Sequence, residues 1–552
     1  MGMKRFLRPS VAIWSAGALL AGAALAGCSS SDSGSSSASG TPVRGGTINY
    51  VHVQEPPCIF GGWIQQAYIS RQVLDGLVTL DDDNTIKPWL ADKWDVSPDG
   101  LTYTFTLKDN VKFTDGTPLD AAAVAYNFDQ FENTDLNGTA KVSIDPYYKS
   151  AEAIDPTHLA IHLNQPYPEF LRLITQGYFG IQSPAALKTR SKQENCEKPI
   201  GSGAFTVAQW KKGQEVVFKK NPNYTSWPAT AKNKGPAYVD GIHWKFVPDA
   251  TSRYASLTTG QSDVVYEVPT VQWKNAQQQF SNTIRYITPG KPVSFFINTQ
   301  EGPFTDKLVR QAFAYGADRK SAVEAGFHGV IPYEPNAAVS QSTPGYQDGD
   351  PYPFNPGKSA ELLKQAGWSK GGNGIYTKNG QPLHVKLVYG AGFIFTQEGA
   401  TVLQALQEQW KQAGFDVELT PATMAEQWGG KYSDPKTYDA MPSYWTSPSP
   451  AILWIVWRAS TPDNPNGNNR SFYNNPQLTA LINQANTNTD TTAGFQQYKQ
   501  AQKIIADDAA GIGLYTQNTL IAASNKLQGF WVEKSQGEPV FSDAYLTSSR
   551  PD

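Results

Sequence analysis

The sequence is poor in the residues that most often carry chemistry. Its 552 positions hold 3 Cys, 4 Met and 6 His. It has no surplus of positive charge: 46 Lys and Arg stand against 49 Asp and Glu, a formal net charge of -3. Nothing in that balance points to a nucleic-acid partner, which would normally leave a basic stripe. Beyond the N-terminus no run reaches about 18 consecutive apolar residues, so no later helix is expected to span a bilayer. There is no P-loop, and no G-x-G-x-x-G follows a strand. Charged residues make up 17% and hydrophobic residues 40%, which excludes wholesale disorder and fits a globular body. At this length a single core is not enough, and two or three domains are expected.

Patterns that imitate catalytic or metal sites fail on context. Gly367-Trp368-Ser369-Lys370-Gly371 matches G-x-S-x-G, but a nucleophile elbow needs a strand before the serine. Here a helical pattern precedes it and Gly371-Gly372-Asn373-Gly374 follows, which reads as a helix end and a turn. His158 and His162 have the i, i+4 spacing of a helical zinc pair, yet "THLAIHL" alternates like a strand. Four residues along a strand span about 13 Å, too far for one ion. Asp81-Asp82-Asp83 lacks the alternating ligands, central Gly and terminal Glu of a calcium loop. No catalytic residue, metal or cofactor is expected.

What is present begins at the N-terminus. Lys4, Arg5 and Arg8 precede an apolar run at 11–25, the pattern of an export signal. It ends in Leu25-Ala26-Gly27-Cys28, which resembles the lipobox of bacterial lipoproteins. That resemblance implies cleavage before Cys28, a diacylglyceryl group on its thiol, and anchoring to the outer face of the bacterial cell membrane. Residues 29–44 are rich in Ser and Gly and read as a flexible tether. About 15 such residues reach roughly 20 Å. Cys58 and Cys196 then remain in an exported, oxidising setting. An even remainder favours a disulfide over two buried free thiols. It would close a loop of about 140 residues, for which chain entropy gives roughly 5 kcal/mol.

Past the tether, strand and helix patterns alternate, so the class is α/β. "TYTFTL" at 102–107 has clean period-2 alternation. Asp120 is placed to cap a helix over 121–131, and another helix is expected at 69–77. No short-period repeat and no long disordered linker divides the body, so its domains are expected to share several chain crossings. Aromatic content is high, with 15 Trp and 26 Tyr. Trp410, Trp428, Tyr432, Tyr438, Tyr444, Trp445, Trp454 and Trp457 crowd one stretch. Such side chains serve either a core or a concave ligand site.

Several segments in order resemble family 5 extracellular solute-binding proteins of ABC importers, the oligopeptide- and dipeptide-binding class. These are "ISRQVLDGLVTL", "LTYTFTLKDNVKFTDGTPLDAAAVAYNFD", "KPIGSGAF", "VRQAFAYGADRKSAV", "AELLKQAGW" and "FDVELT". Together they span about residues 44–546. The resemblance implies a bilobal type II clam-shell with an extra subdomain on lobe I. On that basis 1–27 is a lipoprotein signal peptide and 28–43 the tether. Lobe I takes 44–85, 198–298 and 515–552, the extra subdomain 86–197 and lobe II 299–514. The strands near Phe296-Ile297-Asn298 and Leu514-Tyr515 would be hinges. The function implied is capture of a peptide or similar solute between the lobes and delivery to an ABC permease and its ATPase. The receptor would be a monomer, not an enzyme. The ligand-binding candidates carried by motif position are Gln66, Phe296, Asn298, Trp428, Tyr444, Trp445, Thr446, Ser447 and Tyr515.

One departure bears on the ligand. In peptide binders of this family an aspartate shortly after a Trp pairs with the ligand's α-amino group. Here Trp445 is followed by Thr446-Ser447-Pro448-Ser449-Pro450, without a carboxylate. Either another acid substitutes or the ligand lacks a free amine, which admits oligosaccharides, modified peptides and other small solutes. Two further readings compete. A secreted glycoside hydrolase would need paired acids about 5–10 Å apart, and a surface adhesion or sensing lipoprotein would need no transporter.

Overall fold

The computed structural model describes residues 41–60, 69–133 and 138–547. Cys28 and Gln66 lie outside the described residues. The chain opens a seven-stranded sheet with β1 (Thr47–His52). It then builds a four-stranded antiparallel sheet from β2 (Ala91–Val96), β3 (Thr102–Leu107), β4 (Tyr148–Ala153) and β5 (His158–Leu163). It returns to the first sheet as β6 (Phe205–Lys211), β7 (Glu215–Lys220), β8 (Gly241–Phe246), β9 (Val264–Tyr266) and β10 (Asn282–Ile287). A second, five-stranded sheet follows: β11 (Gly290–Ile297), β12 (His384–Gly390), β13 (Asp416–Ala422), β14 (Ala440–Thr446) and β15 (Gly511–Tyr515). The chain crosses back as β16 (Asn518–Ala523).

The strand orders are β10-β16-β9-β1-β8-β7-β6 in the first sheet, β13-β12-β14-β11-β15 in the second and β2-β3-β5-β4 in the small one. Each large sheet has a parallel core. β1 runs parallel to β8 and β9, and β12 runs parallel to β13 and β14. The carboxyl ends of parallel strands are where α/β sheets present ligand crevices. Here those ends are His52, Phe246 and Tyr266 in one sheet and Gly390, Ala422 and Thr446 in the other.

Local chemistry explains the elements. In β3 the residues Tyr103, Phe105 and Leu107 point inward and the intervening threonines are half-buried. Asp120 accepts the Ala123 N–H at 2.8 Å and starts the helix Ala121–Asn133. β11 is buried at every position, as befits a strand in a covered sheet. His158 and His162 do lie on a strand, each beside a carboxylate: Asp155 at 2.8 Å and Glu152 at 3.2 Å. Ser369 sits in an exposed two-residue strand after the helix Pro356–Gln365. Cys58 and Cys196 are disulfide-bonded with Cα atoms 5.0 Å apart, tying the exit of β1 to the helix Lys192–Glu197.

Two expectations are corrected. Only Ile69 and Ser70 of the helix expected at 69–77 are helical. The carbonyls of Gln72 and Val73, which a helix would use, instead accept the N–H groups of Phe205 and Gly203 at 2.9 Å. Cβ atoms at Gly201 or Gly203 would collide with the Val73 backbone, so this glycine corner alone fits there. The strand Gly290–Ile297 pairs in the second sheet, with β14 and β15, although its residues were expected in the first lobe. The two crossings between the sheets are therefore Thr288-Pro289 and Thr516-Gln517. They touch each other: Thr288 N donates to Gln517 O at 3.0 Å.

Candidate interlobe ligand site

The carboxyl end of β14 carries Tyr444, Trp445 and Thr446, followed by Ser447. Gly290, at the start of the neighbouring β11, fixes their path. Its φ is +113°, and an added Cβ would lie 2.2 Å from the Trp445 carbonyl oxygen. Only glycine permits that approach. Ser447 N donates to Pro289 O at 3.0 Å, so the segment after β14 is bonded to the crossing itself. Behind it, Lys291 is paired in register with Trp445. The Lys291 ammonium nitrogen donates to Ser443 O at 2.6 Å and to Ser294 Oγ at 2.7 Å, and lies 4.2 Å from the Phe296 ring centre. Burial pushes its pKa well down.

In front of Trp445 is a narrow cavity between the end of β14 and the small-sheet subdomain, with a volume of ≈ 10 Å³, about what a single water requires. One wall is Trp445, Thr446, Ser447 and Trp454. The other comes from the small-sheet subdomain and includes Tyr147, Tyr167 and Gln176. Tyr147 and Tyr167 are stacked with centroids 3.9 Å apart and planes 4° apart. Gln176 Nε2 donates to the Thr446 main-chain oxygen at 3.3 Å, joining the walls directly. Asn486 extends the junction, donating to the Tyr147 hydroxyl and accepting from the Tyr498 hydroxyl. The two walls are in contact and leave no wider opening at this point.

The cavity lining combines aromatic and polar groups. It offers flat aromatic faces, a main-chain acceptor at Thr446 and a side-chain amide at Gln176. The Thr446 hydroxyl is buried without a hydrogen-bond partner among the described residues.

The sequence-derived residues divide three ways. Trp445, Thr446 and Ser447 line the cavity. Tyr444 and Tyr515 lie nearby at the crossing end of the second sheet. Phe296 and Asn298 do not join them, which corrects that expectation. β11 is antiparallel to β14, so its last residues sit beside Ala440, at the opposite end of the sheet from Thr446. Phe296 packs on Trp457 with ring centres 5.0 Å apart. Asn298 is fully buried and donates to the carbonyls of Pro435 and Tyr438. Trp428 is half-buried against the Arg470 guanidinium, 5.3 Å from its ring centre. Of the aromatic crowd, Trp410, Tyr432, Tyr438 and Trp457 are core, and Trp445 and Trp454 face the cavity. Sequence reasoning missed Tyr147, Tyr167 and Gln176. Tyr167 stood between two prolines as a signal of an ordered aromatic; Gln176 left none.

Comparison with known proteins gives a consistent result. A model of the family described as bacterial extracellular solute-binding proteins, family 5 middle, matches residues 85–478. The glutathione-binding protein GsiB of Escherichia coli O1:K1 / APEC is 30% identical over 502 residues, covering 87% of this chain and 90% of that protein. The Salmonella typhi protein of the same description matches to the same extent. Among solved structures, NikA from Brucella suis in complex with Fe(III)-EDTA superposes with a TM-score of 0.78 at 24% identity, covering 91% of this chain and 100% of that one. The oligopeptide-binding protein AppA from Bacillus subtilis, in complex with a nonapeptide, gives 0.77 at 22% identity, covering 92% and 100%. These likenesses show a bilobal fold of the type II periplasmic binding-protein kind.

Proposed function

Because this chain belongs to family 5 of the bacterial extracellular solute-binding proteins, we propose that it is the solute receptor of an ABC importer. It takes up a peptide-class solute between its lobes and delivers it to a membrane permease coupled to an ATPase. The observation that carries this reading is the cavity at Trp445, whose opposite walls come from the small-sheet subdomain and the end of β14 and meet through Gln176 and Thr446. A solute seated there contacts both walls only when they are close, so its binding favours the closed form by the difference in affinity. Delivery needs no bond made or broken. The glutathione-binding description of GsiB and the nonapeptide bound to AppA support a peptide-class solute. The aromatic walls and the lack of an acid at 446–450 also favour a second reading, a non-peptide solute with a flat apolar face.

Native mass spectrometry of the purified chain, followed by calorimetry with glutathione and short peptides, tests the proposal. A retained small peptide that rebinds stoichiometrically supports it. A chemically converted solute would point to an enzyme instead, and an oligosaccharide would select the second reading. We further propose that Cys28 bears the lipid anchor. Cys28→Ser is expected to move the protein from the membrane fraction to the soluble fraction; unchanged fractionation would sink that idea.

A further inference from the structure

The helix Thr270–Gln279 begins without a cap of its own. Pro269 stands at its N-cap position and has no side-chain oxygen to accept an N–H. The acceptor comes from a distant part of the chain. Glu398 Oε1 accepts the Thr270 N–H at 3.1 Å and the Thr270 hydroxyl at 2.8 Å. The same hydroxyl lies 3.0 Å from His328 Nδ1. A hydroxyl has one proton to give, and a carboxylate only accepts. That proton goes to Glu398, so His328 Nδ1 carries its own proton and donates to the hydroxyl oxygen. The bonds therefore run in one direction, from imidazole to hydroxyl to carboxylate. Thr270 is buried at the centre of this set, Glu398 is half-buried and His328 is exposed.

The three residues belong to two different bodies of the fold. The helix Thr270–Gln279 links β9 to β10, both strands of the first sheet. The helix Gln397–Gln412, with Glu398 in its first turn, links β12 to β13 of the second sheet. His328 follows the helix Arg319–Gly326, which lies between β11 and β12 of that second sheet. The two helices of the second sheet are held tightly to each other. A Cβ added to Gly326 would lie 2.4 Å from Val402 Cγ2, and at the other end the Asp318 N–H donates to Gln409 Oε1 at 2.6 Å. Glu398 and His328 thus move together, and Thr270 reaches them from the other body. Arg285 on β10 adds a further bond along the same seam, donating to Val330 O at 2.9 Å. The seam runs beside a crossing. Phe327 and Phe395 both pack on Tyr515, with ring centres 4.8 and 6.0 Å away, and Thr516-Gln517 follows.

We infer that Thr270, Glu398 and His328 form a latch that fixes the angle between the two bodies and so sets the balance between their closed and open arrangements. The latch rests on the receptor reading above and adds a control that leaves the solute untouched, since none of its residues lines the Trp445 cavity. Hydrogen bonds tolerate a stretch of only roughly a few tenths of an ångström, so the set breaks once the bodies swing apart beyond a small angle. With the bodies together, the first N–H of the helix Thr270–Gln279 has its cap and the Glu398 carboxylate has two donors. With them apart, water must serve both. Weakening the latch shrinks the closed population, and a bound solute leaves faster.

The test compares the purified, solute-free full chain with Thr270→Val, Glu398→Ala and Glu398→Gln. Valine keeps the shape of Thr270 without its hydroxyl, alanine removes the acceptor, and glutamine keeps an oxygen that still accepts. Hydrogen exchange read by mass spectrometry should show the amides at the start of the helix Thr270–Gln279 exchanging about threefold to tenfold faster in Glu398→Ala. Small-angle scattering should give a larger radius of gyration for Thr270→Val and Glu398→Ala than for the wild type, and a wild-type value for Glu398→Gln. Faster exchange with an unchanged radius in both disrupting variants would reduce Glu398 to a local cap and overturn the latch. Unchanged exchange in Glu398→Ala would overturn it as well, because the bond would then not hold in solution. Cooperative melting curves separate opening from partial unfolding, and truncation of the half-buried Glu398 is expected to leave the chain folded. No readout uses a solute. Failure of glutathione and peptides to bind would remove the receptor reading, and these measurements would still decide the latch.

Discussion

Glu334 is a buried acid that meets only donors. Its carboxylate accepts from the N–H groups of Asn336 and Gln341 and from the hydroxyls of Tyr346 and Thr516. Thr516 belongs to one of the two crossings, so this carboxylate ties the 334–346 loop to the junction of the lobes. Burial pushes it from 4.5 up to about 7, against the opposing pull of those four donors. The folded chain therefore keeps a proton there that the unfolded chain releases from about 4.5 upward. This group's contribution to stability is greatest below that value, falls as pH rises towards 7 and levels off above it. Glu334→Gln is expected to flatten that slope in thermal melts taken between about pH 5 and pH 8. The Gln341 N–H, left facing an amide NH2, should cost about 1–3 kcal/mol. A slope identical to that of the wild type would assign the titration to another group.

At the scale of elements, the pairing of β11 with β14 depends on one residue without a side chain. Gly290→Ala places a Cβ against the Trp445 carbonyl at a φ of +113°. It should destabilise by about 2 kcal/mol or more, read as a lower denaturant midpoint with an unchanged slope. A melting curve like that of the wild type would show that the segment after β14 can shift freely.

Alternation in "TYTFTL" and the Asp120 cap made β3 and the helix Ala121–Asn133 legible in advance, because both depend on neighbours in sequence. The helix expected at 69–77 was not legible, since the groups that take the Gln72 and Val73 carbonyls lie about 130 positions away, at Gly203 and Phe205. The same distinction holds at the site. Motif position pointed to Trp445, Thr446 and Ser447, and these three line the cavity. Phe296 and Asn298 were misplaced because a motif does not tell which end of a strand faces the cleft. Tyr147, Tyr167 and Gln176 come from a subdomain whose approach to the second lobe leaves no trace in local pattern.

For the molecule as a whole, hydrogen bonds tie the small-sheet subdomain to the segments that follow β14. Asn486 joins the subdomain's Tyr147 to Tyr498 of the helix Thr491–Asp507. Asn486→Ala removes both hydrogen bonds and leaves two buried hydroxyls unpaired. Small-angle scattering of the unliganded variant should give a larger radius of gyration than the wild type, and bound solute should leave faster. Unchanged scattering and an unchanged off-rate would mean that packing alone, without these bonds, keeps the walls together.

The contact between the two crossings, Thr288 N to Gln517 O, has a mechanical consequence. Two strands joined at the point where they pass between bodies act as one pivot rather than two independent straps. Bonds made at the pivot, such as Ser447 N to Pro289 O, can persist while the mouth swings open. The arc is longest at the outer lip. A solute would then meet the main chain beside Trp445 already fixed in position, and the subdomain would fold over it last, like a hand closing from the wrist.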